Sequence, residues 1–354
     1  MSSPTGPAPG LPVRMPRPRQ SGRHRRPEPV AAPEGAPALV LAVPGAPTPA
    51  VRALAEEIIS IARSELPGLD VGIGYLDGYA PGEPLGDAGP EETTAGAEAV
   101  DGPFGDKTDE TGEPAAAPAA AAAEEPADIG GPDLATVLAG VAAVRAERYE
   151  YALAAGREVA EPEGPAAVVV PLLVGPDAAL MDRIRTTVEQ SAAPVGLADV
   201  LGPHPLLAEA VHVRLSEAGL ARADRARLFT VATAADGIVL ATVGGDEAVR
   251  AAGITGMLLA ARLAVPVMAA ALDQEGSVAA VAEQLRGSGS TQLALAPYLI
   301  GPELPDGLLD AALKEAGAPA AEGLGAYPAI GKLVLSQYTT TLGITPAPQG
   351  APVR

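Results

Sequence analysis

The chain carries one α/β pattern twice, and this duplication restricts its possible folds more than any other feature. Leu39-Val40-Leu41-Ala42-Val43-Pro44-Gly45 is matched by Ile238-Val239-Leu240-Ala241-Thr242-Val243-Gly244. Val170-Pro171-Leu172-Leu173-Val174-Gly175-Pro176 is matched by Ala296-Pro297-Tyr298-Leu299-Ile300-Gly301-Pro302, and Leu201-Gly202-Pro203-His204-Pro205 by Leu324-Gly325-Ala326-Tyr327-Pro328. The blocks keep their order, at offsets of 199, 126 and 123. The drop of 73 between the first two places extra chain in the first copy only.

Apolar runs at 38–43, 69–75, 166–173, 237–243, 265–272 and 292–299 predict strands buried on both faces. Between them, helical periodicity covers 50–64, 134–155, 178–191, 206–218, 247–262, 278–286, 307–316 and 329–338. This alternation predicts an α/β fold of two duplicated units, each a parallel sheet flanked by helices. Ligand crevices in such sheets border the carboxyl ends of the strands. Position therefore nominates residues 44–48, 175–182, 244–247 and 301–306, with Pro44, Gly45, Gly175, Gly244 and Gly301 lining a cleft.

Three stretches do not fit the pattern. Residues 1–36 hold Arg14, Arg17, Arg19, Arg23, Arg25 and Arg26 among many prolines, with no acid before Glu28, and read as a disordered basic tail. Residues 77–133 hold fifteen acids against the single base Lys107, with a Pro/Ala run at 113–126. Such a segment cannot bury enough surface to offset its ordering entropy, so it reads as a disordered acidic insert. The expected organisation is a tail at 1–36, a first unit at 37–218 interrupted by the insert, a second unit at 219–342 and a Pro-rich tail at 343–354.

Composition then removes several classes of function. The 354 residues include no Cys and no Trp, so disulfide scaffolds and thiol chemistry are excluded. Seven Tyr and two Phe are too few for a base-stacking platform, and a net charge of −20 repels polyanions, which disfavours nucleic acid as a partner. No apolar run approaches the roughly 18 residues of a membrane helix. The residues after the N-terminal arginines are Pro, Glu and Ala instead of an apolar signal region, so a cytoplasmic location is expected. No GxxxxGK[ST] or helix-opening GxGxxG occurs: Gly72-Ile73-Gly74 lies inside a strand and Gly287-Ser288-Gly289-Ser290 precedes one. No serine sits in a GxSxG elbow.

With its repeated strand–loop–helix order, its strand ending in Val170-Pro171-Leu172-Leu173-Val174-Gly175, and the closing Leu201-Gly202-Pro203-His204-Pro205-Leu206-Leu207-Ala208-Glu209-Ala210, the folded part resembles the sirohydrochlorin and cobalt chelatases of class II, in their two-repeat actinobacterial form. The resemblance covers roughly 38–76, 134–218 and 227–340. It implies two flavodoxin-like units facing each other across a cleft that inserts Co2+ or Fe2+, as substrate metal, into a sirohydrochlorin-type tetrapyrrole of siroheme or cobalamin biosynthesis. No resident cofactor is implied.

The sequence departs from that family at its reactive positions. The family's His-Gly-Ser-Arg loop after the first strand corresponds here to Pro44-Gly45-Ala46-Pro47, and the second expected His is missing between Gly175 and Met181. Imidazole suits this chemistry because it ligates first-row metals and titrates near neutral pH. The polar candidates that remain are Asp177 and Asp182, with Asp246, Glu247, Glu303 and Asp306 in the second copy. His24 falls in the tail. His204 lies in a turn whose second-copy counterpart is Tyr327, and His212 stands two helical turns further on, roughly 12 Å away, too far to share a metal with it. Arg52, Arg183, Arg185 and Arg250 are candidates for meeting a polycarboxylate ligand. The expectation is a degenerate, non-catalytic chelatase-like protein that binds a tetrapyrrole or small acid, or serves as a scaffold docking protein partners through its tails and insert. The alternative is an active chelatase using Asp177 or Asp182 in place of histidine.

Overall fold

The structure is a computed structural model that describes residues 31–33, 35–79, 130–158, 163–221, 235–301, 303–304 and 307–344. Most of the basic tail with His24, residues 80–129 of the insert, Asp306 and residues 345–354 lie outside the described residues. The ends of the predicted insert belong to the described fold. Tyr79 bridges Pro132 and Tyr75 bridges Asp133, so Asp77, Gly78, Tyr79 and residues 130–133 form a short neck.

The first copy runs β1 (Ala38–Val43), α1 (Pro49–Glu65), β2 (Val71–Tyr75), α2 (Leu134–Ala154), β3 (Ala167–Pro171), α3 (Ala178–Glu189), β4 (Val195–Leu197) and α4 (Pro205–Glu217). The second runs β5 (Gly237–Thr242), α5 (Gly245–Leu263), β6 (Val267–Ala271), α6 (Ser277–Gly287), β7 (Leu293–Pro297), α7 (Leu308–Ala316) and α8 (Pro328–Thr341). All pairings are parallel, in the orders β2-β1-β3-β4 and β6-β5-β7. A single bridge from Leu295 to Ala320 stands where the second copy's fourth strand would lie.

The repeat extends to individual hydrogen bonds. Leu172 N–H donates to the Ala42 carbonyl in one copy and Tyr298 N–H to that of Ala241 in the other. Leu76 to Val43 is mirrored by Leu272 to Thr242, and Leu201 to Leu173 by Leu324 to Leu299. Both last helices start on a proline, where the missing N–H costs nothing and the fixed φ suits the first turn.

Alternation along the buried strands sorts side chains onto two faces. Leu39, Leu41, Val168 and Val170 point to one core, and Ala38, Val40, Ala167 and Val169 to another beneath α2 and α3. In the second sheet, Val239, Ala241, Leu293 and Leu295 pack on α6 and α7, while Ile238, Leu240, Ala294 and Ala296 face the same core as Leu39. That shared core contains Ile58 of α1, Leu207 and Val211 of α4, Leu259 of α5 and Ile330 and Val334 of α8. Burying each such side chain stabilises the fold by about 1.5–3 kcal/mol.

Within this layer the copies exchange their last helices. Helix α8 packs on α1 and β3 of the first copy, and α4 packs on α5 and β7 of the second. The exchange is reciprocal in its hydrogen bonds. Arg214 of α4 donates to the Leu324 carbonyl, while Gln337 of α8 donates to the Val200 carbonyl, each reaching the turn that leads into the other copy's last helix. The tight approach of α8 to α1 depends on Gly331, where a Cβ would stand 2.6 Å from the Cβ of Ile61.

Candidate functional site

In both sheets the order in which strands are added reverses between the first and third strands of the copy, so the crevice a doubly wound sheet offers lies above β1/β3 and β5/β7. The nominated loops stand there. After β1, Pro44 and Pro47 are buried, Gly45 takes a positive φ of 79°, and Thr48 caps α1 by accepting the Val51 N–H. After β3, Gly175 is buried and Asp177 caps α3 by accepting the Leu180 N–H at 3.0 Å. After β5, Gly244 and Gly245 turn with φ of 104° and 66°, a region closed to most side chains. Their two N–H groups, at the opening of α5, both donate to one oxygen of Asp273, at 3.0 and 3.1 Å. This helix start is an anion site, filled by the chain's own carboxylate. After β7, Glu303 folds back to accept the N–H groups of Ile300 and Gly301 at 2.6 and 2.9 Å.

The loops of the two copies meet. A Cβ on Gly244 would lie 2.5 Å from the Pro176 carbonyl oxygen and 3.3 Å from the Asp177 Cα, and one on Gly301 would touch Leu54 of α1 at 3.7 Å. Glu303 is also close enough to Asp177 to feel its charge. Desolvation of its buried carboxyl pushes its proton affinity above the ordinary carboxylate range; the donated amides of Ile300 and Gly301 oppose that, and Asp177 adds to it. Asp177 and Glu303, from opposite copies, are the acids brought together here.

Other sequence candidates are placed elsewhere. Arg183 donates to the Leu76 carbonyl and pairs with Asp77 at 2.6 Å, fastening α3 to the neck of the insert. Asp182 pairs with Arg185 one turn along on the exposed side of α3. Arg52, in the first turn of α1, lies near Tyr75, whose phenol is raised by burial and by Glu56 and lowered by Arg52. Asp246 accepts from the Gln274 side chain. His204 caps α4 through Nδ1, which accepts the Leu206 N–H at 3.1 Å, and burial lowers its proton affinity. His212 accepts from Arg262 Nε at 2.8 Å.

Sequence reasoning missed Asp273. It follows the second strand of its copy in Leu272-Asp273, as Asp77 does in Leu76-Asp77, and this repeated dipeptide is the signal that would have exposed it. Also missed was the buried pair formed by the Tyr298 phenol and the Thr255 hydroxyl at 2.9 Å, in which desolvation pushes the phenol up to about 12. Among the described residues, no group of three or more His, Asp or Glu side chains converges as a metal site. Glu303 gives both carboxylate oxygens to backbone amides, and Asp177 and Asp273 give one each.

No family model matches the chain, and no curated protein matches it. Among solved structures it is similar to the sirohydrochlorin chelatase SirB from Bacillus subtilis subspecies spizizenii in complex with cobalt. That similarity has 12% identity over 86% of this chain and 95% of the other, with a TM-score of 0.46. A periplasmic ribose ABC transporter from Conexibacter woesei is similar at 13% identity over 76% of this chain and 65% of the other, with a TM-score of 0.26. Likenesses this weak carry no argument about function, and the α/β assignment rests on strand order and register.

Proposed function

We propose that this protein is a non-catalytic, chelatase-like binding protein, whose paired α/β units keep a two-sided strand-end site for an acidic ligand or partner without performing metal insertion. The observation that carries this reading is that each of the site's carboxylates accepts hydrogen bonds from loop amides. Asp177 and Glu303 hold the loops on which they stand and Asp273 holds the turn between β5 and α5, so none presents a full set of lone pairs to a metal ion. The loop where the family's metal-binding histidine is expected has Pro44-Gly45-Ala46-Pro47 instead, without a side-chain donor or acceptor. A tetrapyrrole bearing several carboxylates is the ligand class the resemblance supplies. The test is an absorption titration with sirohydrochlorin, with and without Co2+, against a protein-free control. A spectral shift on binding with no acceleration of insertion is expected, and accelerated insertion overturns the reading.

A second reading keeps metal insertion, and one observation favours it: Glu303 is a buried carboxyl at the strand-end loops whose proton affinity is raised by desolvation, the kind of group that accepts a pyrrole proton. Under that reading Glu303→Gln abolishes the accelerated insertion while tetrapyrrole binding persists.

A further inference from the structure

Helices α1 and α5 hold the same place in the two copies and bury matching positions: Ala55, Ile58, Ile59 and Ala62 in α1, and Ala252, Thr255, Gly256 and Leu259 in α5. In the same register, the exposed face of α1 carries Glu57, Ser60 and Ser64, whereas that of α5 carries Ile254, Met257 and Ala261. Ile254 and Met257 are 47% and 67% exposed, and Leu258 beside them is 40% exposed. Single exposed apolar side chains are ordinary, but three within five residues on one side of a helix make a contiguous patch. The fold accepts a polar surface at this position in its first copy, so the apolar stripe on α5 answers to something outside the fold.

The charges at the two ends of α5 select what covers the stripe. Its first turn is acidic, with Asp246 and Glu247, its last turn is basic, with Arg262, and Ile254 is the midpoint of Gly245–Leu263. A second molecule of this chain laid antiparallel about that midpoint opposes the two helix dipoles and sets each acidic first turn against the other's Arg262. At about 100° per residue, Glu247, Leu258 and Arg262 stand roughly 20°, 40° and 80° to one side of Ile254, while Arg250 and Met257 stand roughly 40° and 60° to the other. A two-fold axis across an antiparallel pair brings like flanks together. Glu247 then meets Arg262 of the facing molecule on one flank, and the stem of Arg250 covers its Met257 on the other. A parallel pair would set Glu247 on Glu247 and Arg262 on Arg262. Arg262 gives only its Nε to His212. We propose that the outward face of α5 is a self-association surface through which two molecules form an antiparallel, two-fold dimer. The surface lies on the side of α5 away from the shared core and does not depend on what the strand-end loops bind. One helix per molecule falls below the roughly 1,200 Å² of stable interfaces, so the dimer is weak, with a Kd of about 10–100 μM.

Sedimentation equilibrium of the full-length chain, from about 1 to 500 μM, should show a reversible rise towards twice the monomer mass. Met257→Glu, a change at a side chain already mostly in water, should weaken association at least about tenfold without disturbing the monomer. Glu247→Arg and Arg262→Glu should each weaken it about three- to tenfold, and together restore it, because the pair is remade with its signs exchanged. The chain has no Cys, so single cysteines report the geometry. A bismaleimide of about 8 Å reach should join two Ile254→Cys chains at the two-fold axis but not two Ala261→Cys chains, whose sites stand about 21 Å apart along the pair. A monomer at every concentration overturns the proposal and leaves the stripe to a different protein. Association indifferent to Met257→Glu, charge reversals that do not restore one another, or equal cross-linking of both cysteine variants overturns it as well.

Discussion

The two copies share the order and register of their first three strands and differ in their connections, helix caps and buried polar groups. In the first, β2 and α2 are separated by residues 76–133; in the second, β6 and α6 are separated by only 272–276. In the first, Thr48 and His204 cap the helices α1 and α4 with their side chains; in the second, α5 starts from a left-handed Gly244 and α8 from Tyr327, with no side-chain cap on either. Where the first copy packs Leu172 and Ile58, the second places Tyr298 and Thr255 and joins them by a buried hydrogen bond. Strand order and inter-strand register survive all of these exchanges because they are fixed by two-faced apolar strands, whereas caps and turns need only satisfy the same few amides.

The largest expected asymmetry lies in the turns before the exchanged helices. A Cβ at Gly202 meets the Val174 carbonyl at 2.5 Å, Leu207 Cδ1 at 2.6 Å and the Tyr298 hydroxyl at 2.8 Å, while at the equivalent Gly325 it meets only the end of Arg214, at 3.0 Å. Gly202→Ala should lose about 2–3 kcal/mol, and Gly325→Ala, with its φ of 59°, about 1 kcal/mol. Urea unfolding of both variants measures the difference, and equal losses would break the comparison.

Next comes the polar pair. Tyr298→Phe or Thr255→Val alone strands a buried hydroxyl and should cost about 1–3 kcal/mol, whereas the double change, which brings the second copy towards the apolar first, should cost less than the sum. Strict additivity in a double-mutant cycle would show that the hydrogen bond contributes nothing.

Two carboxylates should give opposite pH slopes. Glu303 has a folded proton affinity raised above its ordinary value of 4.5, so its stabilising contribution is complete below that pH and is lost as pH rises through the folded value. Asp236, which accepts from Thr291 and Gln292, is lowered from 3.8, so its contribution is present above that pH and lost as pH falls through the folded value. Unfolding free energies measured across pH should lose the first slope in Glu303→Gln and the second in Asp236→Asn.

The smallest effects separate two residues that sequence alone treated alike. Asp177→Ala removes a helix cap and should cost about 1 kcal/mol. Asp182→Ala removes only an exposed ion pair and should cost less than about 0.5 kcal/mol.

Most of the fold was legible in the sequence because each long strand is a continuous apolar run and each helix a periodic one. The three residues of β4 were not, since Val195-Gly196-Leu197 is too short to show a period. The helix exchange was also hidden: the apolar positions of α4 and α8 require burial, but nothing in their spacing says against which sheet. At the site, glycine and proline positions marked the loops correctly as strand ends. The partners of the acids did not show, because Asp273 reaches glycines 28 and 29 residues earlier in the chain and Asp177 meets Glu303 only through the approach of the two copies.

The central claim is that the strand-end carboxylates hold the strand-end loops together and are not ligands in waiting. Calorimetric titration of Co2+ into the untagged full-length protein at neutral pH tests it most directly. No saturable binding tighter than about millimolar is expected, in wild type and in Asp177→Ala and Glu303→Gln alike. Micromolar, one-to-one binding in the wild type that disappears in either variant would contradict the account.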